Sequence, residues 1–256
     1  MLRLSYNALS HNPGDIIRAG LDDSDGIVLM EGVAAATNES LIRICNWLGT
    51  TRSEEITKGG AVDDLSVYLV EEKGGGVKDE LGELILSTTS QAFPLHTDGF
   101  ARRCPYDLVV LLCVRAAASG GESVLSSLSH VLPRLSASAR DELQQEQFPC
   151  CYGKTSIIYG SGNHINIRYN SLELRSQQHH QNACLTERAS HAVLELDEAL
   201  EWKNAQYIFQ MKFGNCLILD NHRVLHGRLP FSSGSQRLLK RVRLYRHQQS
   251  IPEERG

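Results

Sequence analysis

Hydrophobic positions along this chain fall mostly into short blocks set apart by glycine and polar turns, the pattern of many short strands. Ile27-Val28-Leu29-Met30 is a continuous apolar run behind the turn cluster Asp22-Asp23-Ser24-Asp25-Gly26, and Asp107 to Arg115 is a longer one. Unbroken runs of this kind predict strands buried on both faces. Further strands are expected at Leu65 to Val70, Ser123 to Leu125, Cys216 to Leu219 and Leu238 to Tyr245. Alternation predicts two more, Ile165 to Tyr169 and Tyr207 to Phe213, the second with Tyr207, Phe209, Met211 and Phe213 on one face.

Helical spacing is rarer. Residues 14–20 suit a short helix, and Leu41, Ile44, Cys45 and Leu48 recur on one face of a second, capped by Thr37 or Asn38. Ser129 to Leu135 and Ser138 to Gln145 are expected to be helical, with Ser138 and Asp141 resembling a capping box. The most regular helix runs from Thr186 to about Lys203. Its single stripe of Ala189, Val193, Leu196 and Leu200 predicts packing on the outside of a sheet. Residues 49–64 are polar and aperiodic, and the three successive glycines after Glu71-Glu72-Lys73 mark a loop, a candidate lid near 71–80. Many short strands with few helices favour a sandwich or barrel over alternating βαβ units.

Composition narrows the picture. A chain of 256 residues of this kind is expected to form one domain. With 26 basic and 30 acidic residues, a formal net charge of -4 and no long run of one sign, the chain has no feature that recruits nucleic acid or an anionic membrane. Seven cysteines, an odd number with no CxxC pair and several inside apolar blocks, are expected to be reduced packing residues of a cytoplasmic protein. The first residues lack the apolar core of a signal peptide, and no segment approaches membrane-spanning length.

Candidate chemistry centres on Phe93-Pro94-Leu95-His96-Thr97-Asp98-Gly99 and on Asp220-Asn221-His222-Arg223-Val224-Leu225-His226-Gly227-Arg228. On an extended backbone His96 and Asp98 project from one face and can grip one ion. Two imidazoles and one carboxylate are the donor set of non-haem Fe(II) oxygenases, which makes His96, Asp98 and His226 the expected ligands and His222 the rival to His226. In the last strand Arg237, Arg241 and Arg243 share one face while Leu238, Val242 and Leu244 share the other. A guanidinium grips a carboxylate with two parallel hydrogen bonds, which suits the distal carboxylate of a dicarboxylic acid such as 2-oxoglutarate. Asp220 reads as a turn-capping residue and His179-His180 as part of a solvated loop. Arg102 and Arg103 could reach an anionic substrate group, and Phe93, Phe100 and Tyr169 are candidate pocket walls.

These segments resemble the taurine dioxygenase and clavaminate synthase group of Fe(II)/2-oxoglutarate-dependent oxygenases. The likeness rests on His96-Thr97-Asp98, on Gly120-Gly121-Glu122-Ser123, on Gly214 to Gly227, and on Arg237 with Arg241, and covers roughly residues 90–245. The stretch from Asp220 to Arg228 is also similar to γ-butyrobetaine hydroxylase, and the chain length with Arg243 to Arg246 is closer to carbapenem synthase. The resemblance implies a double-stranded β-helix, a jelly roll with helices packed outside. It implies Fe(II) as metal, O₂ and 2-oxoglutarate as co-substrates, Arg237 as 2-oxoglutarate anchor with Ser123 as helper hydroxyl, and Arg241 in contact with substrate. Arg241 and Arg246 remain rival anchors. The implied reaction is decarboxylation of 2-oxoglutarate to succinate and CO₂ coupled to hydrogen abstraction from a C–H bond. Asp98 stands where halogenating members carry a small residue, which favours hydroxylation, with desaturation, ring closure and epimerisation also open. A small amino acid or amino-acid-derived natural-product intermediate is the expected substrate. A zinc hydrolase on the same triad and a non-catalytic jelly-roll binding module are the alternatives.

Overall fold

The computed structural model describes residues 1–9, 11–50, 67–79, 82–162 and 164–246. The strands of its two larger sheets are β1 (Leu2–Ser5), β2 (Ile27–Glu31), β3 (Gly49–Thr50), β4 (Tyr68–Glu71), β5 (Phe93–His96), β6 (Leu108–Arg115), β7 (Ser123–Ser127), β8 (Gln206–Phe209), β9 (Cys216–Asp220), β10 (Val224–Arg228) and β11 (Leu238–Arg246). The main helices are α1 (Pro13–Asp23), α2 (Asn38–Asn46), α3 (Ala137–Leu143), α4 (Ser171–His180) and α5 (Glu187–Glu201). Three short hairpins lie outside the two sheets, the first pairing Val77–Lys78 with Leu84–Ile85.

Seven strands form the larger sheet in the order β1-β2-β9-β6-β11-β3, with β4 also paired to β11. Only β1 and β2 run parallel. The smaller sheet, β8-β7-β10-β5, is antiparallel throughout. Strand alternation builds the layers. Leu108, Val110 and Leu112 of β6 join Ile17 of α1 and Leu41 and Ile44 of α2 in one apolar cluster. Their neighbours Val109, Leu111 and Cys113 point the other way and meet Leu125 of β7 and Val224 of β10 between the sheets. A third cluster packs α3 and α5 on the smaller sheet through Leu143, Ala189, Leu196 and Leu225. The result is a jelly roll of two facing sheets with helices outside. Each fully buried aliphatic side chain contributes about 1.5–3 kcal/mol to this scaffold.

Several expectations are corrected in detail. The strand expected from Leu65 is described only over Tyr68–Glu71, since residues 51–66 lie outside the described residues. Tyr207 to Phe213 stops at Phe209, where pairing with β7 ends, and Ile165 to Tyr169 shrinks to Asn166–Ile167. Ser136, not Ser138, caps α3, accepting from Ala139 N–H while its own hydroxyl donates to Glu195. His179 and His180 end a helix rather than sitting in a loop, exposed in the last turn of α4. Of the seven free cysteines, Cys104, Cys151 and Cys184 are exposed and are not packing residues. The loop after β4 is tied down: Glu72 accepts from the Ser233 hydroxyl and the Gly234 N–H, both at 2.7 Å. Glu80, within the candidate lid, lies outside the described residues. No helix among the described residues is long and apolar enough to cross a membrane.

Candidate metal centre

β5 and β10 are neighbours, and their register sets His96 directly opposite His226, with ring centroids 4.4 Å apart. Gly227 permits this approach, because a Cβ there would lie 2.6 Å from the Phe93 carbonyl. Asp98 is not on the strand. β5 ends at His96, and Asp98 sits in the following turn, where Gly99 adopts a left-handed φ of 79°. A side-chain clamp replaces the strand geometry: the Asp98 N–H donates to Asn221 Oδ1 at 2.8 Å, and Asn221 Nδ2 donates to the carbonyls of Asp98 and Tyr106, both at 2.9 Å. Thr97 adds a second tie, its N–H donating to the Tyr169 carbonyl at 2.7 Å. His96, Asp98 and His226 each thereby offer one donor atom, all within 4.8 Å of one another and all buried.

The donor chemistry fits a cation. His96 Nδ1 lies 2.8 Å from the Pro94 carbonyl, an acceptor that selects the tautomer with its proton on Nδ1 and a lone pair on Nε2. That Nε2 and His226 Nδ1 are buried without a hydrogen-bond partner, a costly state unless a ligand completes it. Burial, reinforced by His96, pushes His226 down to about 3, so its imidazole is neutral. Burial alone would raise the Asp98 carboxyl, but Arg241 and Arg243 outweigh it and hold Asp98 well below the usual carboxylate range. Their guanidinium nitrogens lie 3.3 Å and 2.7 Å from Asp98 Oδ2. A neutral His226 imidazole beside an ionised Asp98 carboxylate is a protonation state suited to a divalent metal.

Beside the triad a cavity of about 50 Å³ is lined by His96, His226, Ser123, Arg228, Arg237 and Arg241, with Val70, Leu111 and Leu239 as apolar wall. Arg237 is buried, and its Nη1 has no hydrogen-bond partner. Gly120 and Gly121, both at positive φ, make room for it: a Cβ on Gly121 would come within 3.3 Å of Arg237 Cδ. Ser123 is registered opposite Arg228 across the sheet. Arg228 ties this wall to the chain before β5, donating to the carbonyls of Thr89 at 2.8 Å and Gln91 at 2.6 Å.

The remaining candidates separate. His222 is not part of the cluster; its Nε2 lies 2.7 Å from Asp107 and its Nδ1 pairs with the Tyr159 hydroxyl. Arg246 donates to Asp220 at 2.7 Å, which occupies it away from the cavity beside the triad. Phe100 and Tyr169 are fully buried in the helix-side apolar cluster and do not line this cavity, whereas Phe93 does. Arg102 stacks over Tyr106 at 4.9 Å. Two contributors escaped the sequence reading. Asn221, the clamp, is visible there only as the second letter of Asp220-Asn221. Glu173, on α4, sits close enough to His96, Asp98 and Arg243 for their charges to act on its carboxyl.

A jelly roll with two imidazoles and a carboxylate at one end of its facing sheets, beside a cationic cavity, belongs to the class of non-haem iron oxygenases. Within that class the chain belongs to the taurine catabolism dioxygenase TauD/TfdA family, whose model matches residues 3–243. A curated relative, 3-((Z)-2-isocyanoethenyl)-1H-indole synthase of Fischerella ambigua (strain UTEX 1903), is 30% identical over 176 residues, 61% of this chain and 64% of the relative. The match therefore spans just under two thirds of that relative's length. Among solved structures, an asparagine oxygenase in complex with Fe(II), 2S,3S-3-hydroxyasparagine and succinate superposes with a TM-score of 0.68 at 19% identity, covering 91% of this chain and 80% of that one. PvcB, an Fe, alpha-ketoglutarate dependent oxygenase from an isonitrile synthetic pathway, gives a TM-score of 0.64 at 20% identity, covering 94% and 82%. These two share the fold of this chain, the double-stranded β-helix.

Proposed function

We propose that this protein is an Fe(II)- and 2-oxoglutarate-dependent oxygenase that oxidises a C–H bond of a small polar metabolite, an amino acid or an amino-acid-derived natural-product intermediate, in the cytoplasm. One observation carries the reading: a buried donor set of His96, Asp98 and His226 within 4.8 Å stands beside a buried Arg237 whose guanidinium has an open donor. His96, Asp98 and His226 would hold Fe(II), which when bound supplies the activation of O₂. The Pro94 carbonyl fixes the His96 ring, and Asn221 fixes the backbone that carries Asp98. Arg237 would take the distal carboxylate of 2-oxoglutarate with the Ser123 hydroxyl alongside, and Arg228 adds positive potential to the same wall. Val70, Leu111 and Leu239 exclude water from that contact and so strengthen it. Asp98 keeps the third protein position filled, which favours hydroxylation over halogen transfer.

Family membership supports the reaction, and the hydroxylated amino acid in the asparagine oxygenase structure supports an amino-acid substrate. A cationic cavity for a dicarboxylate is what a zinc hydrolase on the same triad would not need. The test is an anaerobic titration of metal-free protein with Fe(II) and then 2-oxoglutarate. A weak visible metal-to-ligand charge-transfer band is expected at saturation with both. A correctly folded protein that binds Fe(II) and never develops the band overturns the proposal.

A further inference from the structure

A second, larger cavity of about 670 Å³ shares Phe93 with the smaller cavity beside the triad. The Phe93 ring stacks on His96 with centroids 3.9 Å apart, so one ring lies between this cavity and a candidate metal ligand. Its volume falls in the range of roughly 300–1,000 Å³ usual for small-molecule sites. The wall is mixed. Leu84, Ile85, Leu86, Phe93 and Leu172 supply an apolar floor, while Asp79, Glu83 and Glu173 supply carboxylates. The positive candidates in the lining are His179 and Arg175, whose side chain is 69% exposed and which lies 3.9 Å from Asp197.

Glu173 is the informative member. It sits in the first turn of α4, where the cap Asn170 accepts its backbone N–H at 3.2 Å. Its carboxylate accepts the Ala101 backbone N–H and forms no ion pair among the described residues. Arg241 and the part-exposed Arg243 both pair with Asp98. Burial lifts the Glu173 carboxyl above its usual range, outweighing the Ala101 N–H and the charges of His96 and Arg243. A carboxylate kept from water at a cavity wall gains most from a ligand that brings the missing charge, because a charge-assisted hydrogen bond is about twice as strong as a neutral one.

From this geometry we infer that the primary substrate carries a free cationic nitrogen, which Glu173 receives while the rest of the molecule lies on the Phe93 and Leu84–Leu86 floor. The inference rests on the oxygenase reading above and narrows its substrate class. It selects a free amino acid or amine, and rejects derivatives whose nitrogen is acylated or converted to an isocyano group.

The experiment uses protein loaded anaerobically with Fe(II) and 2-oxoglutarate, then offered the proteinogenic L-amino acids and, in parallel, their N-formyl counterparts. Perturbation of the charge-transfer band and, after admitting O₂, stimulated succinate formation are read for each. Free amines are expected to act and their N-formyl partners are not. Glu173→Gln is expected to raise the half-saturating concentration of the active amine by about 30-fold, the effect of removing one member of a partly desolvated charge pair. Glu173→Asp should recover part of that loss, and the substrate-free band reports whether each variant folds and binds iron. Equal response to the N-formyl series, no response to any free amine, or an unchanged half-saturation in Glu173→Gln overturns the inference while leaving the oxygenase reading intact. A wild-type protein that never forms the band overturns the oxygenase reading, and the inference falls with it.

Discussion

The inner face of β11 and the residue just before it carry two buried arginines of nearly equal exposure and opposite circumstance. Arg241, 6% exposed, lies 3.3 Å from Asp98, which also holds Arg243. Arg237, 5% exposed, has no carboxylate partner among the described residues, only the face of Phe231 at 5.7 Å. Burial lowers both to about 10, still far above neutral pH, so both remain charged. Holding an uncompensated charge away from water costs several kcal/mol. The protein avoids that cost at the Asp98 end, where the counter-ion is built in. It accepts the cost at the Arg237 end, and this is where a ligand can supply the counter-ion and gain the difference as affinity.

Breaking the paired end should have the largest effect. Asp98→Ala removes a metal donor and leaves two cations facing each other, so Fe(II) binding is expected to vanish. The metal-free variant should also lose about 3–5 kcal/mol of stability in urea denaturation. Arg237→Met separates the two ends: 2-oxoglutarate affinity should fall about 30-fold, while the melting temperature of the metal-free protein holds or rises because an unpaired cation has been removed. An Arg237→Met protein that unfolds as easily as Asp98→Ala would erase the distinction. Ser123→Ala sharpens it further, with an expected loss of about 1 kcal/mol, roughly fivefold, in 2-oxoglutarate affinity and no change in iron binding.

An effect as small as that of Ser123→Ala, but on stability alone, is expected away from both ends, at Asp107. Burial alone would raise its carboxyl, but hydrogen bonds from His222 at 2.7 Å and the Arg246 backbone N–H at 2.8 Å outweigh it and lower the value. A lowered folded-state value means stability that is fully present above the unfolded value of about 3.9 and is lost as pH falls through the folded one. Asp107→Asn should therefore cost about 1 kcal/mol at neutral pH and leave iron binding unchanged. Its gap to wild type should close on acidification below pH ~4.

The scaffold was legible because apolar runs such as Leu108 to Cys113 report burial directly, and so was the choice of donor residue types. What stayed hidden depends on contacts between distant segments. That His96 and Asp98 share a strand face was the wrong local reason for a correct proximity: Asp98 is held in a turn by Asn221, 123 positions away. Ser136 and Ser138 are equivalent as helix caps in sequence, and Glu195, 59 positions on, distinguishes them. Helix α4 went unseen because Leu174 is its one fully buried large apolar residue, so no stripe marks it. Missing that helix meant missing Glu173. Arg237 and Arg241 share a face in the sequence pattern, but nothing there says which of them Asp98 has already claimed.

The most direct test is the dissociation constant of 2-oxoglutarate for the anaerobic, Fe(II)-loaded protein, measured for wild type, Arg237→Met and Ser123→Ala. Saturable binding by wild type, with the larger loss in Arg237→Met, is the predicted result. Wild-type protein that binds Fe(II) without binding 2-oxoglutarate, or Arg237→Met protein that binds it as tightly as wild type, would contradict the account.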